Sequence, residues 1–246
     1  MTKLIFLGCL SKKLYESTCK NAVKLIQFLD NEYQELENTP CCGSLAYHIT
    51  EDESMRKHVE YVNNWFKTNE ITDLVTICAG CYTYLTSYYK KYLGSEFNIK
   101  VQHLLQFLTN PSNLEKLNLK YSGKPIKVNY HDACHLRNAP IPIIEEPRTI
   151  LNSIDGIELV EMNFNKTKSI CCGAGGGVYA TFKENSDYNA KSIFVNMNRG
   201  EALLTACPFC FTALNRIREE QNIKKPVIKF EDFIVKIMEG GDPING

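Results

Sequence analysis

No apolar run in this chain approaches the roughly 20 residues that a membrane-spanning helix needs. Leu4–Leu10 is among the longest, and Gly8 interrupts it. The start, Met1-Thr2-Lys3 before a short apolar segment, lacks the small-residue cleavage pattern of a secretory signal. The expectation is a cytoplasmic protein with no direct membrane insertion. Charge of one sign is not in excess either. The 28 Lys and Arg balance the 28 Asp and Glu, which leaves no electrostatic footprint for nucleic acid. Neither a G-x-G-x-x-G fingerprint nor a P-loop is present, so nucleotide chemistry has no motif to rest on. At 246 residues, 44% hydrophobic and 23% charged, the composition is that of a globular protein with one large domain or two small ones.

Cysteine is the exception, with eleven in the chain. At this density, and without an export signal, cysteines are commonly metal ligands or catalytic thiols. Their spacing says more than their number. Cys9 is followed by Cys41-Cys42-Gly43 and then by Cys78-x-x-Cys81. Cys134 is followed by Cys171-Cys172-Gly173 and then by Cys207-x-x-Cys210. Every position of the second set lies 125 to 130 residues after its counterpart in the first. A recurrence at fixed period reads as two structural units. The turn formers of Asn110–Lys124 place the boundary, giving units of about 1–115 and 120–246.

Lys3–Leu7 and Ile71–Ile77 read as buried strands ending at Cys9 and Cys78. Ile126–Tyr130 and Ala202–Ala206 lead in the same way to Cys134 and Cys207. Glu158–Met162 is a further strand, joined to Cys171-Cys172 by the polar loop Asn163–Ser169. Ala22, Val23, Ile26 and Leu29 keep helical spacing, as do Leu85, Tyr88, Tyr89 and Tyr92 up to Gly94. The predicted fold class is therefore α/β: two pseudo-repeated domains, each a small, mainly parallel sheet flanked by helices, with cysteines at the strand carboxyl ends.

Each set offers five thiols and no paired histidine. Structural zinc takes four ligands at short local spacings, which adjacent Cys-Cys pairs suit poorly. Iron–sulfur clusters accept thiolates from distant segments. Cys78 and Cys207 open helices, with Pro208 at a first helical position. The N–H groups and positive dipole end there favour thiolates. Glycines 43, 173 and 175–177 let backbone N–H groups come close to a cluster. A zinc-stabilised interaction module is the rival from another class.

These two patterns resemble the tandem cysteine-rich CCG domains of the B-type subunit of heterodisulfide reductase. His131-Asp132-Ala133-Cys134-His135-Leu136, Cys171-Cys172-Gly173-Ala174-Gly175-Gly176-Gly177 and Cys207-Pro208-Phe209-Cys210 are close to the family's forms, and the match covers nearly the whole chain. The resemblance implies two non-cubane [4Fe-4S]-type iron–sulfur clusters. Cys9, Cys41, Cys42, Cys78 and Cys81 would hold one, and Cys134, Cys171, Cys172, Cys207 and Cys210 the other. It implies an oxidoreductase subunit acting on sulfur groups: a CoB–CoM heterodisulfide, bound between the clusters, is reduced to two thiols, as in methanogenesis. It further implies a ferredoxin-like iron–sulfur subunit and a flavoprotein subunit as partners. The sequence carries no ferredoxin-type cysteine segment, so electrons are expected from a separate subunit. The alternative within the class is an electron-transfer subunit of a fumarate/succinate or sulfur-oxidising complex.

His131, His135 and Arg137 flank Cys134 and are candidates for supporting or substrate contacts, with a solvated loop as the plain reading of Arg137. Cys19, outside the pattern, reads as a buried structural thiol. His48 stands where the second half has Val178, and Tyr82–Tyr92 reads as helix packing.

Overall fold

A computed structural model of the chain describes residues 1–245. It opens with strand β1 (Thr2–Phe6), which is covered on both faces. Leu4 and Phe6 enter one core, Ile5 and Leu7 the other, as expected of a strand inside a parallel sheet. The chain continues as α1 (Cys9–Leu14), α2 (Glu16–Leu29) and β2 (Tyr33–Gln34), then a long loop carries Cys41-Cys42 to α3 (Asp52–Thr68). β3 (Ile71–Thr76), α4 (Ala79–Leu93), β4 (Lys100–His103) and α5 (Leu104–Leu108) complete the first half. After α6 (Pro111–Leu117) the order repeats with β5 (Ile126–Tyr130), α7 (Cys134–Arg137), α8 (Glu146–Asn152) and β6 (Ile157–Leu159). α9 (Val178–Thr181), α10 (Lys183–Val195), β7 (Ala202–Thr205), α11 (Pro208–Glu220), β8 (Val227–Lys229) and α12 (Phe230–Met238) follow.

The two sheets have the same order, β2-β1-β3-β4 and β6-β5-β7-β8, and every pairing is parallel. Thr76 pairs with His103 in the first, and Thr205 with Lys229 in the second. Parallel neighbours need crossover connections, which the helices supply. The α/β class and the two mainly parallel sheets expected from the sequence are what forms.

The halves pack on each other in equivalent pairs: α2 lies against α12 as α8 lies against α5, and α1 against α11 as α7 against α4. They therefore form an approximate two-fold pair. One buried core runs through both, joining Ala22, Ile26 and Leu105 to Phe233 and Ile234. Polar contacts lock the joint. Thr18 Oγ1 and Asn21 Nδ2 each donate to Asp232 at 2.8 Å. Thr83 and Thr212, each two residues past a paired cysteine, reach into the opposite half, to the His135 carbonyl and the Tyr15 hydroxyl.

Three expectations shift. Asn110–Lys124 contains α6, because Pro111 suits the first helical position and Asn118, at φ +34°, ends the helix. The strand expected at Glu158–Met162 is Ile157–Leu159, since only Ile126–Val128 offers it partners. In α4, Tyr82, Tyr84, Tyr89 and Tyr92 are buried as the packing reading required, whereas Tyr88 is half-buried, its ring 4.9 Å from that of Tyr84. Among the described residues no helix is long and apolar enough to cross a membrane.

Candidate metal centres

The strand ends do what their sequence position suggested. β1 and β5 deliver Cys9 and Cys134 to the first turns of α1 and α7. β3 and β7 deliver Cys78 and Cys207 as the residues that cap α4 and α11, with Cys81 and Cys210 one turn inside. The Cys41-Cys42 and Cys171-Cys172 pairs arrive on loops. Gly43 and Gly173, at φ +88° and +72°, turn each loop so that their own N–H points back at Cys41 Sγ and Cys171 Sγ, at 3.5 and 3.4 Å. A residue with a side chain is strained in that conformation.

In the first site Cys41 Sγ lies 3.4 Å from Cys9 Sγ, and Cys42 Sγ lies 3.2 Å from Cys81 Sγ. In the second, Cys171 Sγ lies 3.6 Å from Cys134 Sγ. None of the cysteines forms a disulfide. All ten candidate ligands are thus brought to two small cavities, with Cys171 just outside the immediate lining of the second. Cys19 is apart from both, in α2, where burial pushes its thiol up to about 11, as suits an inert core thiol.

Electrostatics in the two sites run in parallel. Contact with Cys42, then Cys9 and the Gly43 N–H, pulls the Cys41 thiol down to about 2. Contact with Cys134, then Cys172 and the Gly173 N–H, does the same for Cys171. Six others are pushed up, Cys9 and Cys42 by Cys41, Cys81 by Cys42, Cys134 and Cys172 by Cys171, and Cys210 by Cys172, whereas contact with Cys81 lowers Cys78. Such a set ionises fully only if a strong positive charge enters it, and a thiol-binding metal centre supplies one. Gly8 adds a second sign of fit. A Cβ there would stand 3.2 Å from Cys81 Sγ and 3.3 Å from Cys78 Cβ, so the bare backbone leaves the thiols their room. Among the described residues no three His, Cys, Asp or Glu side chains stand in the geometry of a single bound ion.

The two cavities share a partition. Ser44, Leu45 and Phe209 line both, so the first half's cysteine loop and the second half's Cys-x-x-Cys turn meet between the sites. The chain matches the CCG cysteine-rich domain family over residues 4–86 and again over 128–215. It belongs to that family. Its CCG repeats coincide with the two cysteine sets. An iron–sulfur protein of Methanocaldococcus jannaschii is 31% identical over 90% of this chain and 43% of its own length. A polypeptide of the dihydromethanophenazine:CoB–CoM heterodisulfide reductase of Methanosarcina acetivorans is 29% identical over 95% and 58%. A polypeptide of the fumarate reductase (CoM/CoB) of Methanothermobacter marburgensis is 30% identical over 83% and 40%. The chain spans about half the length of these relatives.

The flanking candidates separate. His135 lines the second cavity, its Nδ1 3.4 Å from Cys134 Sγ, and burial lowers its pKa. His131 is fully buried behind the site, Nδ1 3.5 Å from Ser169 Oγ and Nε2 unpartnered, and burial pushes it down to about 4. Arg137 faces neither cavity: its Nη1 donates to the Asp132 carbonyl at 2.7 Å. That contact ties the half-buried guanidinium to the turn before Cys134. His48 faces across the joint, with Gly176 beside it.

Two features escaped the sequence reading. Phe209, hidden inside a ligand motif, is part of the wall between the sites. Asp132 is the buried anchor of the second site. Its carboxylate takes both Arg148 Nη1 and Nη2, at 2.8 and 2.9 Å, and the Lys166 N–H at 2.7 Å. Arg148 also holds Glu161 through Nε and Nη2, at 2.7 and 2.9 Å. The segment before Cys134 is thereby tied to the loop that leads to Cys171. An Arg in α8 following a buried strand-end Asp was the available signal, but nothing in the sequence paired them.

Proposed function

We propose that this chain is the iron–sulfur subunit of an oxidoreductase complex that reduces a disulfide to two thiols, of the CoB–CoM heterodisulfide reductase type. The observation that carries it is the shared partition: two equivalent five-thiol sites lie on either side of Ser44, Leu45 and Phe209, so one ligand at that joint can address both. Cys9, Cys41, Cys42, Cys78 and Cys81 would hold one cluster and Cys134, Cys171, Cys172, Cys207 and Cys210 the other, each of the non-cubane four-iron kind that the family resemblance implies. Bound there, the clusters supply one-electron redox chemistry to the substrate sulfurs.

The chain's own residues do the rest. The S–S bond of the substrate is broken, two electrons arrive from ferredoxin-like and flavoprotein partner subunits, and two protons come from solvent, giving two thiols. His135, on the wall of the second site, carries a ring nitrogen that can hold a proton beside Cys134. The Gly43 and Gly173 N–H groups favour the anionic sulfurs of Cys41 and Cys171.

Anaerobic isolation tests the first step. Iron and acid-labile sulfide in equal amounts at both sites, with a visible absorption band, are expected. Colourless protein holding zinc overturns it. The relation to the fumarate reductase polypeptide supports a second reading, an electron-transfer subunit with the same clusters. Native co-purification with a fumarate- or succinate-converting flavoprotein, and no disulfide reduction by the complex, would select that reading.

A further inference from the structure

The first sheet ends its fourth strand on a fully buried histidine. His103 pairs with Thr76 at the carboxyl end of β4, as Lys229 pairs with Thr205 in the second sheet. Burial pushes its pKa down to about 3, so the ring is neutral and carries one N–H. The Leu105 N–H donates to Nδ1 at 3.2 Å, which places that hydrogen on Nε2. Gln106 Oε1 accepts the His103 backbone N–H at 3.2 Å, and the Tyr82 ring stands at 74° to the imidazole with centroids 6.1 Å apart.

Nε2 is the loose end. It faces the carbonyls of Ile77 and Ala206 and completes a hydrogen bond with neither. Ile77 precedes Cys78 and Ala206 precedes Cys207, so the two carbonyls come from opposite halves. Each shares its peptide unit with the N–H of a candidate ligand. A buried donor left open is uncommon and calls for a reason. Here one N–H stands between two acceptors and can close on only one at a time. Lys229 does not repeat the arrangement, because its Nζ donates to Thr18 Oγ1 at 2.8 Å.

We propose that His103 is a positioning residue shared by the two metal sites, its single N–H passing between the Ile77 and Ala206 carbonyls as electrons arrive. Each carbonyl oxygen carries partial negative charge beside a site that gains negative charge on reduction. An N–H closed on that oxygen offsets the charge and eases reduction, as hydrogen bonds around iron–sulfur sites do. Closure on one side withdraws the donor from the other, so reducing one site makes the second harder to reduce. Each step takes one electron from an external reductant, and His103 keeps its proton throughout. The proposal needs redox-active metal at both sites and stands apart from the disulfide-reducing reading.

The test is a potentiometric titration of the anaerobic, cluster-loaded chain, each midpoint being read by electron paramagnetic resonance and visible absorption. Cys207→Ala keeps only the first site, and Cys78→Ala only the second. His103→Asn retains an acceptor for Leu105, a good helix cap, but is too short to reach the carbonyls. In both backgrounds it should make reduction about tenfold less favourable, the worth of one hydrogen bond. That is a midpoint about 59 mV lower for a one-electron couple. His103→Gln, which reaches about as far as Nε2, should restore most of the shift. With both sites loaded, His103→Asn should narrow the gap between the two midpoints. Iron and sulfide content should be kept, and His103→Phe, which fills the space without a donor, serves if His103→Asn fails to load. A shift at one site only overturns the sharing. No shift at either, or Gln behaving as Asn does, reduces His103 to a helix cap and overturns the proposal, as does zinc in place of iron. Midpoints that follow His103 in a chain that turns over no dialkyl disulfide leave the proposal standing and defeat the disulfide-reducing reading. Disulfide turnover with midpoints blind to His103 does the reverse.

Discussion

The two halves share a backbone plan and differ in what they bury. Leu7 stands in the first half where the second has Asp132, two residues before the leading cysteine. Leu105 likewise stands where the second has Glu231, two residues past the fourth strand. All four side chains are buried. The first half fixes its strand ends by apolar packing, aided by Tyr89, whose hydroxyl donates to the Cys42 carbonyl at 3.1 Å. The second fixes them by charge, through Asp132 with Arg148 and Glu161, and through Lys229, whose Nζ lies over the Tyr15 and Phe211 rings at 3.9 and 3.8 Å. The sites differ in access as well. Cys9 and Cys41 are exposed, whereas Cys134 and Cys171 are half-buried. A duplicated frame can thus hold equivalent thiol sets by unlike physics, since packing and paired charge both restrict a strand end.

Removing one site and leaving the other is the strongest way to break this comparison. Cys78→Ala and Cys207→Ala should each lose about half of the iron and sulfide, read by elemental analysis, and equal loss from both sites in either variant would show that the halves are not independent. Next in size is Arg148→Ala, which strands two buried or part-buried carboxylates. A loss of about 3–5 kcal/mol is expected by denaturant unfolding, with iron lost first from the second site because Asp132 no longer holds the loop to Cys171. Glu231 gives a pH effect that Leu105 cannot. Burial pushes its carboxyl from the ordinary 4.5 up to about 8. Between those values the folded chain keeps a proton that the unfolded chain releases. The stabilising protonation is complete below about pH 4.5 and is lost as pH rises to 8, at up to about 1.4 kcal/mol per pH unit. Glu231→Leu, which makes the second half like the first, should flatten that slope and raise stability at pH 8, measured by unfolding at pH 5, 6.5 and 8. The smallest effect contrasts Gly8 with its counterpart Ala133. Gly8 has φ +80° and ψ 148°, so Gly8→Ala should cost about 1–3 kcal/mol, and Ala133→Gly, from an ordinary extended conformation, about 1 kcal/mol or less. Thermal unfolding of the two variants compares them.

The parts of the fold that rest on local pattern were legible from the chain. Ile126–Tyr130 is a strand over the expected residues, and α4 ends where Gly94 requires. Duplication was legible because ten cysteines repeat at nearly one offset. Edges were less so. β6 is an edge strand whose length depends on its single neighbour, and α6 formed in a stretch whose Pro and Asn serve a helix end as readily as a turn. Within the site, cysteine identity and helix-opening positions could be read directly. The role of Phe209 could not, because its neighbours in space, Ser44, Leu45 and Gly80, are 129 to 165 residues away. Nor could the hold on Arg137 be read, since its guanidinium donates to a backbone carbonyl five residues back.

Cysteine number, spacing and strand-to-helix placement settled two thiol sites at strand ends, since spacing and periodicity are properties of neighbouring residues. Which surfaces face each other is decided by the two-fold packing of the halves. Only that packing sets Phe209 against Gly80, makes one wall serve both sites, and buries Asp132 on Arg148. These contacts join residues remote in the chain, and their energy comes from burial that no single segment can achieve alone.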